Sequence, residues 1–147
     1  MTMISQAAEK RVQQAYPTPS VKPHLLIVTD CPDRLTGLRS LLHADGVEIT
    51  GAASFEELSR ACLREHDLVV IDVGAARLPE VLRMLRSSVR HSSVSLLVEA
   101  SRVLTEPNLT GVLPRYRAMP CSRSDLVKLA HCLMAVDVRP GNKRMLL

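Results

Sequence analysis

Two apolar runs in this chain each meet an aspartate at their end. HLLIVTD (24–30) closes on Asp30, and HDLVVIDVG (66–74) carries Asp72 directly after Leu68, Val69, Val70 and Ile71. An unpaired carboxylate at the end of a buried run costs several kcal/mol, roughly, so it needs a partner or a solvent-reached edge. The carboxyl edge of a parallel sheet is such a place, and ligands collect there. Two carboxylates on neighbouring strand ends offer the oxygen ligands that a hard divalent cation such as Mg²⁺ takes. Asp30 and Asp72 are therefore the candidate metal ligands, and Mg²⁺ is the one cofactor that they suggest.

Other chemistry finds less support. Cys31 follows the first apolar run at the start of a helix, a position that reactive cysteines use. However, CPDRLTG lacks the arginine and hydroxyl spacing of phosphate-handling cysteine loops, and Asp30 and Asp33 would repel an oxyanion. No glycine pattern lets a backbone approach a pyrophosphate. The four cysteines form no CxxC; Cys62 and Cys132 fall on apolar helix faces and read as core. The five histidines are dispersed and read as helix-end or surface residues. No enzyme activity is expected.

The elements that must position the two aspartates follow from periodicity. Strands are expected at 24–30, 47–53, 67–73, 94–100 and, more briefly, 115–120. Helices are expected between them. CPDRLTGLRSLLHADG has Pro32 and Asp33 in its first turn and Gly46 past its end. SFEELSRACLREH opens with Ser54 and Glu57 at capping-box spacing. LPEVLRMLRSSVR puts Leu78, Val81, Leu82, Leu85 and Val89 on one side. SRSDLVKLAHCLMAV opens with Ser122 and Asp125 at capping spacing. Residues 101–114 are the weakest stretch, since Pro107, Gly111 and Pro114 oppose a long helix. Strand and helix thus alternate five times, which argues an α/β fold with a parallel sheet and helices on both faces.

The chain has 147 residues, 46% of them apolar and only 2% aromatic, so one aliphatic core is expected. The net charge of +4 is spread thinly, apart from RPGNKR near the end, and reads as a solvated surface. With no aromatic stacking platform and no apolar run of membrane-spanning length, neither nucleic acid nor membrane is an expected partner. With no signal peptide in view, the expectation is a cytoplasmic protein with free thiols. The expected organisation is a flexible tail at 1–22, a domain at 23–137 and a basic tail at 138–147.

Across residues 24–136 the order and spacing of LLIVTDCPDRLTGLRSLL, HDLVVIDVG and YRAMPCSRSDLVKLA resemble the CheY-like receiver domain of bacterial response regulators. The resemblance implies a flavodoxin-like, doubly wound sheet of order 2-1-3-4-5. It implies that Asp72 stands at the phosphoacceptor position. It places Thr29 and Asp30 at a two-acid Mg²⁺ position, so that one acid is missing. Glu99 stands where the family has a hydroxyl, with Ser101 two residues later, and Met119 stands where it has a lysine before Pro120. Each departure opposes phosphoryl transfer: fewer acids weaken Mg²⁺ binding, Met119 supplies no positive charge, and Glu99 adds negative charge. Arg117, two residues before Met119, either reaches the edge in the lysine's place or is an exposed arginine. Glu99 is expected to accept a hydrogen bond from a neighbour.

The function implied is a stand-alone, receiver-like signalling protein of a two-component or phosphorelay system. It would be a pseudo-receiver acting as a protein–protein interaction module. The alternative is a working single-domain response regulator phosphorylated on Asp72. Its partners would be a histidine kinase, a phosphotransfer protein or a downstream regulator, and it would be a monomer or homodimer. No output domain is expected after residue 136.

Overall fold

Successive residues of a strand point to opposite faces, and here both faces are apolar. The structure, a computed structural model, describes residues 22–103, 105–109 and 111–138. The tails expected from the sequence fall almost wholly outside them. The strands are β1 (His24–Thr29), β2 (Glu48–Ala52), β3 (Leu68–Asp72), β4 (Ser95–Glu99) and β5 (Ala118–Cys121). The helices are α1 (Pro32–Leu42), α2 (Phe55–Ala61), α3 (Leu78–Ser87), α4 (Val112–Arg115) and α5 (Arg123–Val138). All strand pairs are parallel, in the order β2-β1-β3-β4-β5, as the resemblance implied.

The period-2 pattern divides the core in two. Leu26, Val28, Val69, Ile71, Leu96 and Val98 face one side, where α2, α3 and the segment around Leu109 and Leu113 cover them. Leu25, Ile27, Leu68, Val70 and Leu97 face the other, against Leu38 and Leu42 of α1 and Leu126, Ala130 and Met134 of α5. Burial on both faces is why the central strands read as continuous apolar runs. Among the described residues, no helix is long and apolar enough to cross a membrane.

Local signals set the helix starts. Ser54 Oγ accepts the Glu57 N–H at 3.1 Å, and Glu57 Oε1 accepts the Ala53 N–H at 2.7 Å. Ser122 Oγ accepts the Asp125 N–H at 3.2 Å. Pro32 opens α1, and Gly46, at φ +81°, makes the left-handed turn that leads into β2. In β2 itself, a β-carbon at Gly51 would lie 2.6 Å from a Leu35 methyl, so the missing side chain makes room for α1.

The structure departs from the sequence reading in four places. β5 begins at Ala118 rather than at 115, because residues 112–115 turn as a helix and Arg117 has φ +56°. The Arg86 side chain fixes this turn, donating to the carbonyls of Tyr116, Arg117, His91 and Val94. Val89 is 90% exposed, since α3 ends at Ser87 before the apolar stripe reaches it. Cys132 is exposed rather than core.

Fourth, His66 and His91 are buried, not superficial. They close a relay at the amino edge of the sheet. The Ser88 hydroxyl donates to the Cys62 carbonyl at 3.4 Å and lies 2.9 Å from His91 Nδ1. His91 Nε2 lies 2.9 Å from His66 Nδ1. Once the Ser88 proton is committed to Cys62, His91 Nδ1 must donate to Ser88, and His66 Nδ1 must donate to His91. Both rings are then neutral, and His66 Nε2 is left as a buried lone pair without a hydrogen-bond partner.

Candidate functional site

The strand ends bring Asp30 and Asp72 to the carboxyl edge. Thr29 of β1 lies level with Asp72 of β3, so Asp30 follows directly beside it. Asp72 is completely buried. Three guanidinium groups from three different segments surround it. Arg34, in the first turn of α1, donates to Asp72 Oδ2 at 3.3 Å. Arg123, the first residue of α5, places Nη1 3.7 Å from the same oxygen. Arg102, just after β4, places Nε 3.5 Å from Asp72 Oδ1. Nε and Oδ1 form an ion pair without a hydrogen bond, and both atoms are buried.

Arg102 also joins the two acids. Its Nη2 donates to Asp30 Oδ2 at 2.8 Å and approaches the Asp72 carbonyl at 3.4 Å. The Gly74 N–H, in the loop after β3, donates to the same Asp30 oxygen at 2.8 Å. Burial alone would raise the Asp30 pKa. The Gly74 and Arg102 hydrogen bonds and the Arg102 charge outweigh it and hold that pKa below the ordinary carboxylate value.

The donor set as it stands does not fit a divalent cation. The Arg102 guanidinium lies against both carboxylates that would have to bind one. Among the described residues, no group of three or more His, Cys, Asp or Glu side chains is placed to hold a metal ion. Three positive groups around two acids meet the electrostatic demand that a Mg²⁺ ion would otherwise meet.

The remaining candidates from the sequence are placed as follows. Thr29 is buried, and its hydroxyl donates to the Cys31 carbonyl at 3.0 Å. Glu99 is buried at the end of β4, and its Oε1 accepts the Ser101 hydroxyl at 2.7 Å and the Ser101 N–H at 3.3 Å. That is the neighbouring donor expected for it. Met119 is half exposed on β5. Arg117 does not come to this edge; its guanidinium donates to the Ser92 carbonyl, before the start of β4. Its left-handed backbone takes it out of the strand, so the same-face argument from Met119 does not apply.

The sequence reading missed Arg34, Arg102 and Arg123. One signal was present: each stands within a few residues after a strand that ends at this edge. The same is true of many solvated arginines, and only the assembled sheet brings these three to one carboxylate.

No family model matches the chain, and no curated protein matches it. Solved structures do. The receiver domain of Francisella response regulator 1452 aligns with a TM-score of 0.57 at 18% identity, covering 78% of this chain and 98% of that one. The signal receiver domain of an HD domain-containing protein from Pseudomonas fluorescens Pf-5 aligns with a TM-score of 0.63 at 16% identity. That alignment covers 88% of this chain and 98% of the other. Identities this low speak for fold alone, and the five-stranded parallel sheet of order 2-1-3-4-5 agrees with that fold. The chain therefore has the fold of a response-regulator receiver domain.

Proposed function

We propose that this is a receiver-like signalling protein of the two-component type, in which arginines have replaced metal and phosphoryl chemistry at Asp72. It serves as a protein–protein interaction module in its unmodified state. Its partners are proteins of such a system: a histidine kinase, a phosphotransfer protein or a downstream regulator.

The observation that carries this reading is Arg102 bridging Asp30 and Asp72. Phosphoryl transfer to a carboxylate needs an exposed oxygen in line with phosphorus and cations on the transferred oxygens. Asp72 is buried beneath the guanidinium groups of Arg34, Arg102 and Arg123. Its charge is already compensated, as the charge of an acceptor held in one state would be.

The test is intact-mass spectrometry after incubation with Mg²⁺ and acetyl phosphate, with Asp72→Asn as control. No phosphoryl-sized mass gain is expected. A gain in the wild type and none in the variant would overturn the proposal. It would establish the alternative, a working response regulator phosphorylated on Asp72.

A further inference from the structure

Two turns at the amino edge of the sheet are tied together twice. The Cys62 carbonyl, after α2, accepts the Ser88 hydroxyl at 3.4 Å, and His66, before β3, meets His91 at 2.9 Å. Between these ties lie Leu63 and Arg64 on one turn and Val89 and Arg90 on the other. We propose that this face docks an acidic, aliphatic segment of a partner protein. The inference deepens the proposed function: it rests on the reading of a protein-binding module, but not on the state of Asp72.

The apolar part of the face has no cover. Leu63 is 70% exposed and Val89 90%, the two most exposed large apolar side chains among the described residues. A single exposed aliphatic side chain is ordinary. Two of them, carried on adjoining turns that hydrogen bonds hold together, give an apolar centre, and the arginine that follows each gives a polar rim. That is the anatomy of a protein interface.

Charge names the occupant. Residues 81–98 contain no acid, and Arg117 joins their basic surface by donating to the Ser92 carbonyl. Arg64 and Arg90 border one cavity of about 630 Å³, and neither has an ion-pair partner among the described residues. Of the acids at that cavity, Glu48 lies 3.3 Å from His24 Nε2, and Asp67 accepts the His24 N–H at 2.8 Å. That leaves Glu65 against Arg64, Arg90 and Lys22. Carboxylates on a partner complement such a rim. His66, only 5% exposed, borders the same cavity, and its Nε2 has no hydrogen-bond partner. A polypeptide answers all three features with aliphatic side chains, carboxylates and N–H donors. A nucleic acid answers the charge alone, since neither turn exposes an aromatic ring on which bases could stack.

The experiment titrates the ¹⁵N-labelled full chain with the blocked peptide ELEELE at constant pH and ionic strength. The comparison probes are the peptides ESEESE and KLKKLK, a short DNA duplex, and vesicles of phosphatidylcholine and phosphatidylserine. ELEELE is expected to shift the Leu63, Arg64, Val89 and Arg90 amides saturably, ESEESE to bind more weakly, and KLKKLK to leave them in place. Replacing both arginines, Arg64→Ala with Arg90→Ala, should weaken ELEELE binding about fivefold or more, the effect of two exposed charge pairs. Both side chains are exposed, so the fold should not suffer. No shift with ELEELE, equal binding of ESEESE, or unchanged binding to the double variant would each overturn the proposal. Tighter binding of the duplex or the vesicles through the same amides would overturn it in favour of a nucleic acid or a membrane. A silent face would leave the reading of Asp72 standing, and a phosphorylated Asp72 would leave this face standing, so the two failures are distinguishable.

Discussion

Arg102 shows what a planar, forked cation does that a lysine does not. A guanidinium presents five N–H groups in a fixed plane, so one side chain can address two carboxylates and a carbonyl together. Here it contacts Asp30, the Asp72 carboxylate and the Asp72 carbonyl. A divalent cation would have to displace it. Arg102→Ala should therefore behave in two ways at once. Without metal, its urea midpoint should fall by the equivalent of roughly 2–4 kcal/mol, because Asp30 loses its ion-pair partner and the buried Asp72 loses one of three. With increasing Mg²⁺ the midpoint should recover, since ligand bound only to the folded state stabilises it. The wild type should not respond to Mg²⁺ over the same range. An Arg102→Ala protein indifferent to Mg²⁺ would show that Asp30 and Asp72 are not placed to share a cation.

Among the elements, the turn after α3 and the loop before β3 contain the relay of Ser88, His91 and His66. Burial foremost, and then the neighbouring His91, lower the His66 pKa from 6.5 to about 4. His91 is lowered as well, by burial and then by Arg90. A histidine of the unfolded chain takes up its proton near 6.5. Between 6.5 and about 4 the unfolded chain thus binds more protons than the folded one, and stability falls as pH falls. The contribution is fully present above 6.5. Across that window the loss traceable to His66 amounts to roughly 3 kcal/mol. His66→Gln, which can still donate to His91, should flatten the slope of urea midpoint against pH. A slope as steep as that of the wild type would assign acid lability to other groups.

The elements also mark how far the sequence can be read. β1, β3 and β4 were legible because burial on both faces writes a continuous apolar run. Asp30 and Asp72 were legible because an acid at the end of such a run is conspicuous. The relay was not: His66 and His91 are 25 residues apart, and a histidine carries no periodic signal of its own burial. The stretch from 101 to 114 was legible only as irregular, since its short helical turns never repeat an apolar spacing, and residues 115–117 read as strand where the chain in fact turns. Arg102 at its start was hidden for the same reason.

For the whole molecule, the sheet separates two polar sites of opposite character. The carboxyl edge concentrates charge: two acids, three guanidinium groups and the buried Glu99 nearby. The amino edge holds a neutral histidine relay, with exposed Leu63 and Val89 close to it in sequence. The carboxyl edge is tied across the sheet, because Arg102 after β4 clasps Asp30 after β1, and Asp30 in turn holds the loop after β3.

The Gly74 amide gives that clasp a clock. It belongs to a loop, where backbone protons normally trade with deuterium as fast as solvent permits. Yet its proton rests on an Asp30 oxygen that Arg102 also grips. It should exchange ten- to a hundredfold more slowly than an unbonded loop amide, roughly the factor for one charge-assisted bond. Asp30→Ala should return it to the loop rate while the amides of β1 and β3 keep theirs. If the Gly74 proton exchanges rapidly in the wild type, the strand ends part often on their own. If it is slow, a single proton times each occasion on which the three strand ends come apart while the sheet beneath stays whole.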